Sequence, residues 1–157
     1  MTLTKLLVAN RGEIAIRILR SAADLGLATV AVYTEDDASA LHIRHADAAV
    51  ALKGVGAGAY LDSAQIIAAA KAHGCDAIHP GYGFLSEKAA FAADCAKAGL
   101  TFVGPKAETL ALYGDKGAAR QLAARCGVPV VAGLNRAVSL DEAKAFYDGL
   151  GSGAAMV

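Results

Sequence analysis

Short apolar runs that alternate with helical patterns constrain the fold of this chain more than any other feature. Residues 5–9 (KLLVA) predict a strand, and the polar turn Asn10-Arg11-Gly12-Glu13 follows directly. Apolar residues recur at helical spacing over 14–25, Gly26 can end that helix, and 28–33 (ATVAVY) predict a second strand. A strand, a helix and a strand in this order form a βαβ unit, so we expect a parallel sheet.

The same alternation continues along the next part of the chain. Further strands are predicted at 46–52, 75–78 and 100–103, and further helices at 62–73 and 86–98. The glycine-rich residues 53–60 (KGVGAGAY) predict a loop, as do residues 79–83 (HPGYG). This pattern is typical of an α/β protein with a doubly wound, mostly parallel sheet, in other words a Rossmann-like fold.

The tail of the chain has a different pattern. Helices are predicted over 107–113 and 116–125, which meet at Gly114-Asp115. Ser139 is expected to cap another helix that reaches about Tyr147, and residues 154–157 predict the start of a strand. The tail is therefore expected to belong to a separate part of the fold.

Composition and charge exclude several classes of protein. The 157 residues suffice for one domain with a full core and the beginning of a second. Fifteen basic and fifteen acidic residues cancel without long runs of one sign, so nucleic acid and anionic membrane are not expected partners. Cys75, Cys95 and Cys126 are widely spaced and predict neither a disulfide framework nor a metal site. With no apolar stretch of membrane-spanning length, a cytoplasmic protein is expected.

The first βα turn is the usual place for a nucleotide fingerprint. It contains a single glycine, Gly12, so the G-x-G-x-x-G motif is absent and dinucleotide binding is disfavoured. Glu35, Asp36 and Asp37 follow the second strand, where dinucleotide-binding proteins keep a ribose-binding acid. Without the glycines, a solvated loop and helix cap is the better interpretation of these three acids.

Charged residues form a stripe along the first helix. Arg17, Arg20 and Asp24 are spaced to share one face, opposite Ile14, Ile18 and Leu25. Such a stripe is either a solvated face or a contact with a partner. His79 is a lone histidine with no carboxylate or second histidine nearby in sequence, so we expect it to be structural rather than a catalytic base or a ligand.

Two further positions invite a functional interpretation. Tyr82, Gly83 and Phe84 follow the carboxyl end of a predicted parallel strand, where ligands gather in open α/β sheets. A well-packed loop and a binding loop are both consistent with that position. Lys116 stands at the start of a predicted helix, where its positive charge opposes the helix dipole.

Several segments together resemble the amino-terminal region of biotin carboxylases. They are VANRGEIAIRILRSA at 8–22, YTEDD at 33–37, HPGYGFLSE at 79–87, FVGP at 102–105 and GDK at 114–116. The resemblance covers essentially the whole chain in order. It implies a pre-ATP-grasp domain at 1–113, a helical linker at 114–134 and a truncated start of an ATP-grasp domain at 135–157.

The resemblance also implies a chemistry. Biotin carboxylases use ATP, Mg²⁺ and bicarbonate to form carboxyphosphate, and the released CO₂ is taken by biotin on a carrier domain. It assigns ATP binding to Lys116, the biotin and bicarbonate pocket loop to Tyr82, Gly83 and Phe84, and a subunit interface to the stripe of the first helix. Expected partners are the biotinyl carrier domain, a carboxyltransferase, the remaining ATP-grasp domain and a second copy of the protein.

The chain departs from the family pattern at Lys88, where an asparagine is expected, and at Tyr113, where Met or Phe usually precedes GDK. Catalytic residues and metal ligands of the family are expected beyond Val157, so these residues alone are predicted to be inactive. Two alternatives share the fold. One is another ATP-grasp ligase, of the carbamoyl-phosphate or purine-pathway type, and the other is a non-enzymatic module that dimerises through its first helix.

Overall fold

We describe the protein from a computed structural model, in which residues 2–134 and 136–151 are placed. The chain divides into two compact units, Met1–Ala111 and Leu112–Val157. The predicted strand at 154–157 lies outside the described residues. None of the described helices is long and apolar enough to cross a membrane.

A five-stranded sheet forms the centre of the first unit. Its strands are β1 (Lys5–Val8), β2 (Ala28–Tyr33), β3 (Ala48–Ala51), β4 (Ala77–His79) and β5 (Thr101–Phe102). They lie in the order β3-β2-β1-β4-β5, and every neighbouring pair is parallel. The predicted α/β fold with a doubly wound parallel sheet is confirmed.

Helices connect the strands of the first unit. They are α1 (Gly12–Asp24), α2 (Gly56–Tyr60), α3 (Ser63–Ala72) and α4 (Ala89–Lys97), and short 3₁₀ helices span Glu35–Asp37 and Leu41–His45. Gly26, Gly74 and Gly99 end α1, α3 and α4 with φ of +74°, +63° and +76°. These are the positions at which the sequence places the helix ends, because glycine adopts this left-handed conformation without steric cost.

Apolar side chains pack on both faces of the sheet. Leu7, Val30 and Ile78 belong to one buried cluster together with residues of α3 and α4, such as Ile66 and Phe91. The other cluster joins apolar residues of β1, β2 and β4 to the buried face of α1, and its members include Leu6, Val8, Ala31, Ala77, Ile18 and Leu19. The alternation of neighbouring strand residues between the two clusters follows from the two-residue repeat of a strand.

Aspartate side chains connect neighbouring strands by hydrogen bonds at the amino-terminal edge of the sheet. Asp76, just before β4, accepts hydrogen bonds from the backbone N and Oγ1 of Thr4, both at 2.7 Å, and from the backbone N of Lys5 at 3.1 Å. Asp47, before β3, accepts from the backbone N and Oγ1 of Thr29 at 2.8 and 2.7 Å. These contacts set the position of neighbouring strands at the edge of the sheet away from the crevice described below.

Three details differ from the sequence prediction. Residues 53–60 contain helix α2 rather than a loop alone, because the Asp36 carboxylate accepts from the backbone N of Gly56 at 3.0 and 3.1 Å and so caps the helix. Helix α4 begins at Ala89 instead of Ser86, because residues 84–87 form a turn. Leu25 is 77% exposed, since it lies at the C-cap of α1, beyond the last turn that faces the sheet.

The second unit is helical over most of its described length. Helix α5 (Ala107–Gly114) begins in the first unit and ends in the second. Helices α6 (Lys116–Arg125) and α7 (Leu140–Gly149) follow it. Asp115 caps α6, and Ser139 caps α7 through a capping box with Glu142. The capping role predicted for Ser139 is thereby confirmed.

Candidate functional site

A crevice opens at the carboxyl edge of the sheet, where the strand order reverses. Strands β1 and β4 are neighbours there, but the chain continues from β1 toward β2 and from β4 toward β5. The two segments that follow these strands therefore diverge and leave a space between them, which is the usual ligand position in open parallel sheets. The cavity measures about 380 Å³, and residues 10–14 and 82–84 line it.

Asn10 ties together the two segments that form the crevice. Its side chain is buried, and its Nδ2 donates to the carbonyl oxygens of Pro80 at 2.7 Å and Tyr82 at 2.8 Å. Its Oδ1 accepts from the backbone N of Arg11 at 2.9 Å. One side chain from the β1 end thus satisfies two carbonyl groups of the β4 loop.

The β4 loop has a conformation that depends on glycine. Gly81 and Gly83 have φ of +68° and +65°, and Phe84 has φ of +43°, which is rare for a residue with a side chain. A Cβ atom at Gly81 would lie 2.6 Å from the Asn10 Nδ2. Glycine at this position is therefore required both by the backbone angle and by the close approach of Asn10.

Tyr82 presents the most accessible side chain of the loop. It is 61% exposed, and its hydroxyl donates to the carboxylate of Glu13 in the first turn of α1. This hydrogen bond raises the pKa of Tyr82, because an ionised phenol would be repelled by the carboxylate. The phenol therefore faces the crevice in its neutral form, able to donate or accept a hydrogen bond.

An arginine and two aromatic rings form the wall next to the loop. The Arg11 guanidinium lies 5.6 Å from the ring centre of Tyr60 and 5.9 Å from that of Phe84, and these two rings stack at 5.2 Å. Asp37 Oδ2 accepts from Arg11 Nη1 at 3.1 Å and from the Tyr60 hydroxyl at 2.8 Å. The hydrogen bond to Asp37 raises the pKa of Arg11, and burial together with Asp37 raises the pKa of Tyr60.

Asp37 therefore has a different environment from the one predicted. The sequence favours a solvated loop and helix cap for Glu35, Asp36 and Asp37, and Asp36 does cap a helix. The Asp37 side chain, however, is 19% exposed and joins Arg11 to the buried Tyr60. The difference arises because α2, which the sequence pattern does not predict, brings Tyr60 over the end of β2.

His79 takes part in the turn that begins the loop. It is half-buried, and its Nδ1 faces the backbone N of Gly81 at 3.0 Å, so Nδ1 accepts this hydrogen bond. Burial lowers the pKa of His79, which favours the neutral ring that this acceptor role needs. The contact gives the histidine a structural use, in line with the sequence interpretation.

The charged stripe of α1 is not among the residues that line the crevice. Arg17, Arg20 and Asp24 are exposed on α1, and the first two share a surface depression with Glu13. Lys116 belongs to the second unit and is the exposed first residue of α6. Asp115 caps that helix by accepting from the backbone N of Ala118 at 2.7 Å, so the aspartate already offsets part of the charge at the helix start.

Sequence reasoning missed five residues that shape the crevice, namely Asn10, Arg11, Glu13, Asp37 and Tyr60. One signal was available for Asn10, because a polar residue directly after the apolar run of β1 lies at the carboxyl edge of the sheet. The contact between Asp37 and Tyr60 had no such signal, since it depends on the unpredicted helix α2.

Comparison with known proteins places this architecture in a family. The sequence profile of the biotin carboxylase N-terminal domain matches residues 2–110. The chain belongs to the biotin carboxylase N-terminal domain family. The crevice at the carboxyl edge of the sheet, lined by residues 10–14 and 82–84, lies entirely within the matched residues.

Individual biotin-dependent carboxylases are similar over nearly the whole chain. A putative urea carboxylase of Emericella nidulans is 52% identical over 150 residues, which are 95% of this chain and 12% of that protein. The solved biotin carboxylase domain of a single-chain bacterial carboxylase superposes with a TM-score of 0.90 at 55% identity, over 94% of this chain and 34% of that one.

A third relative was solved with bound nucleotide. It is the biotin carboxylase domain dimer of the Hydrogenobacter thermophilus 2-oxoglutarate carboxylase, in complex with MgADP, ADP and bicarbonate. Its TM-score is 0.90 at 41% identity, over 96% of this chain and 34% of that one. The chain thus spans between 12% and 34% of the length of these three relatives.

Proposed function

We propose that this chain is the amino-terminal part of a biotin carboxylase, a component of a biotin-dependent carboxylase. In that reaction ATP phosphorylates bicarbonate to carboxyphosphate, which breaks down to phosphate and CO₂, and the CO₂ is taken by the ureido nitrogen of biotin on a carrier domain. The observation that carries the proposal is the family match over residues 2–110, within which the loop Tyr82–Phe84 faces the crevice.

The crevice suits a small ligand with polar edges. The neutral Tyr82 hydroxyl offers a hydrogen bond, and Gly83, which has no side chain, leaves the loop backbone open to close approach. The Arg11 guanidinium supplies positive charge at the wall, although Asp37 neutralises part of it. We assign Tyr82, Gly83 and Phe84 to the pocket for biotin and bicarbonate on this basis and on the family resemblance.

Lys116 is proposed to bind ATP in the complete enzyme. Because Asp115 caps α6, the helix dipole alone does not call for a bound phosphate, and the assignment rests mainly on the GDK motif at 114–116. An exposed lysine next to a helix start can still contact a phosphate without any change in the fold. The relative solved with MgADP and bicarbonate supports ATP, Mg²⁺ and bicarbonate as the ligands of the complete protein. The Mg²⁺ ligands and the catalytic residues are proposed to lie outside this chain.

The stripe of α1 is proposed as a subunit interface. Arg17, Arg20 and Asp24 are exposed together along one helix, and one similar solved structure is a dimer of biotin carboxylase domains. A homo-oligomer that also binds a biotinyl carrier domain and a carboxyltransferase would fit the multidomain carboxylases among the relatives.

The proposed organisation is a pre-ATP-grasp domain over 1–113, a helical linker over 114–134 and the start of an ATP-grasp domain over 135–157. A cytoplasmic location is proposed for the complete protein. It is supported by the free thiols of Cys75 and Cys95, which are buried among apolar residues as expected in a reducing compartment.

The proposal is tested with the full-length protein in the presence of ATP, Mg²⁺ and free biotin. We expect ADP release to depend on added bicarbonate and to increase with biotin. The isolated 157-residue chain is the matched control and should release no ADP above the level without enzyme. Bicarbonate-independent ADP release by the full-length protein, or any bicarbonate-dependent release by the isolated chain, would contradict this assignment of the active residues.

A further inference from the structure

We propose that Asn10 is a positioning residue, which holds the β4 loop of residues 80–84 against the start of α1 so that Tyr82 faces the crevice. This inference rests on the proposed function, because the loop is expected to form the pocket for biotin and bicarbonate. Asn10 lines the crevice, but its amide is bonded to backbone groups of the protein. It acts through the loop backbone, to which its buried amide is bonded.

The chemistry of the contact requires an amide. The two hydrogens of Nδ2 go to the carbonyl oxygens of Pro80 and Tyr82, and Oδ1 accepts from the backbone of Arg11. An ionised aspartate would have the same shape but would place an oxygen against two carbonyl oxygens. An alanine would leave both carbonyl groups without this donor. Few side chains could therefore replace Asn10 in its role.

The loop needs this contact because its own backbone is not regular. Gly81, Gly83 and Phe84 all have positive φ, and Phe84 carries a side chain in a region that favours glycine. The Asn10 hydrogen bonds are made to the residues on both sides of Gly81, so they fix the loop at the point where it turns. Tyr82 is then within reach of Glu13, which orients its phenol.

The opposite end of the same two strands offers a matched control. Asp76 ties β4 to β1 at the amino edge of the sheet through three hydrogen bonds, to Thr4 and Lys5. Asp76→Asn and Asn10→Asp are both isosteric changes in a contact between the ends of β1 and β4. They differ in that Asn10 lies at the crevice edge and Asp76 at the edge away from it.

The experiment compares these variants of the full-length protein. We measure the KM for biotin and bicarbonate, the dissociation constant for ATP by titration, and the melting temperature. Loss of two hydrogen bonds that hold the binding-competent loop should raise the KM for biotin or bicarbonate in Asn10→Asp by about 10- to 100-fold. Affinity for ATP should remain within about twofold of wild type, because we assign ATP binding to Lys116 and not to the β4 loop. A twofold change corresponds to only a few tenths of a kcal/mol. Asp76→Asn should lower the melting temperature while both KM values stay at the wild-type level.

Gly81→Ala tests the same contact from the other side, because its Cβ would displace the Asn10 amide. Gly81→Ala should raise the same KM values. If Asn10→Asp does not accumulate as folded protein, the KM values of Gly81→Ala alone test the positioning role. Wild-type KM values in Asn10→Asp, or an equal rise in Asp76→Asn, would overturn the positioning role while leaving the proposed function in place. Absence of biotin-dependent ADP release from the wild-type protein would refute the proposed function, and this inference would fall with it.

Discussion

The contact between Asp37 and Tyr60 makes a quantitative prediction about the wall of the crevice. Tyr60 is fully buried, and its hydroxyl donates to Asp37 at 2.8 Å. Asp37→Ala removes this acceptor, and a buried donor without its partner costs about 1–3 kcal/mol. The Thr34 hydroxyl donates to the same carboxylate oxygen at 3.4 Å and also contacts the Tyr60 hydroxyl. It can therefore accept from Tyr60 once Asp37 is removed, which favours the lower half of that range.

The ion pair with Arg11 adds little to this cost. The Arg11 and Asp37 side chains are 40% and 19% exposed, and a pair that is this open to solvent contributes about 0–1 kcal/mol. Asp37→Ala should therefore lower the free energy of unfolding by about 1–3 kcal/mol in total. In a Tyr60→Phe background, which keeps the stacked ring but has no hydroxyl, the same change should cost only about 0–1 kcal/mol.

The assay is a double-mutant cycle by urea denaturation at neutral pH. It measures the coupling between Asp37→Ala and Tyr60→Phe, which we expect to be about 1–2 kcal/mol. Glu87→Ala is the matched control, since Glu87 is exposed outside the proposed interface and its removal should change stability by less than about 0.5 kcal/mol. If the two changes at Asp37 and Tyr60 add within about 0.5 kcal/mol, the hydrogen bond does not contribute as we reason.

Three further predictions follow from individual residues. In the full-length protein, Lys116→Met should weaken ATP binding by about 10- to 100-fold, because it removes a hydrogen bond to a charged group, while the melting temperature stays unchanged. Unchanged ATP affinity in a titration would show that Lys116 does not belong to the site. Arg17→Glu should weaken self-association in sedimentation, and a wild-type profile would mean that the stripe of α1 is a solvated face. Lys88 is the N-cap of α4, and its side chain accepts nothing from the backbone of the described first turn. Lys88→Asn should therefore stabilise the chain by about 0.5–2 kcal/mol in denaturation, whereas equal or lower stability would refute a capping role for asparagine there.

The regular parts of the fold were predictable because they depend on local patterns. Short apolar runs identified the strands, and Gly26, Gly74 and Gly99 marked helix ends, since each takes a left-handed conformation. The position of Tyr82–Phe84 at the crevice also followed from the sequence. A loop after a parallel strand must lie at the carboxyl edge of the sheet, wherever that strand is inserted.

The wall of the crevice could not be predicted for physical reasons. Helix α2 has two glycines in five residues, a composition that disfavours helix in isolation, and it is held by the Asp36 cap and by the burial of Tyr60. Asp37 and Tyr60 meet only after this helix has formed. The start of α4 was displaced because Phe84 continues the loop with a positive φ, and the side-chain pattern carries no sign of that angle.

The central claim is that this chain serves a biotin carboxylase, and transfer of label from bicarbonate tests it most directly. The full-length protein is incubated with ATP, Mg²⁺, biotin and [¹⁴C]bicarbonate, and carboxybiotin and ADP are quantified in the same samples. The account predicts labelled carboxybiotin formed with biotin-dependent ADP, and no label when ATP is omitted. ADP formation with no label on biotin would contradict the account, and a labelled carbamoyl product formed once ammonia is added would favour a different ATP-grasp ligase.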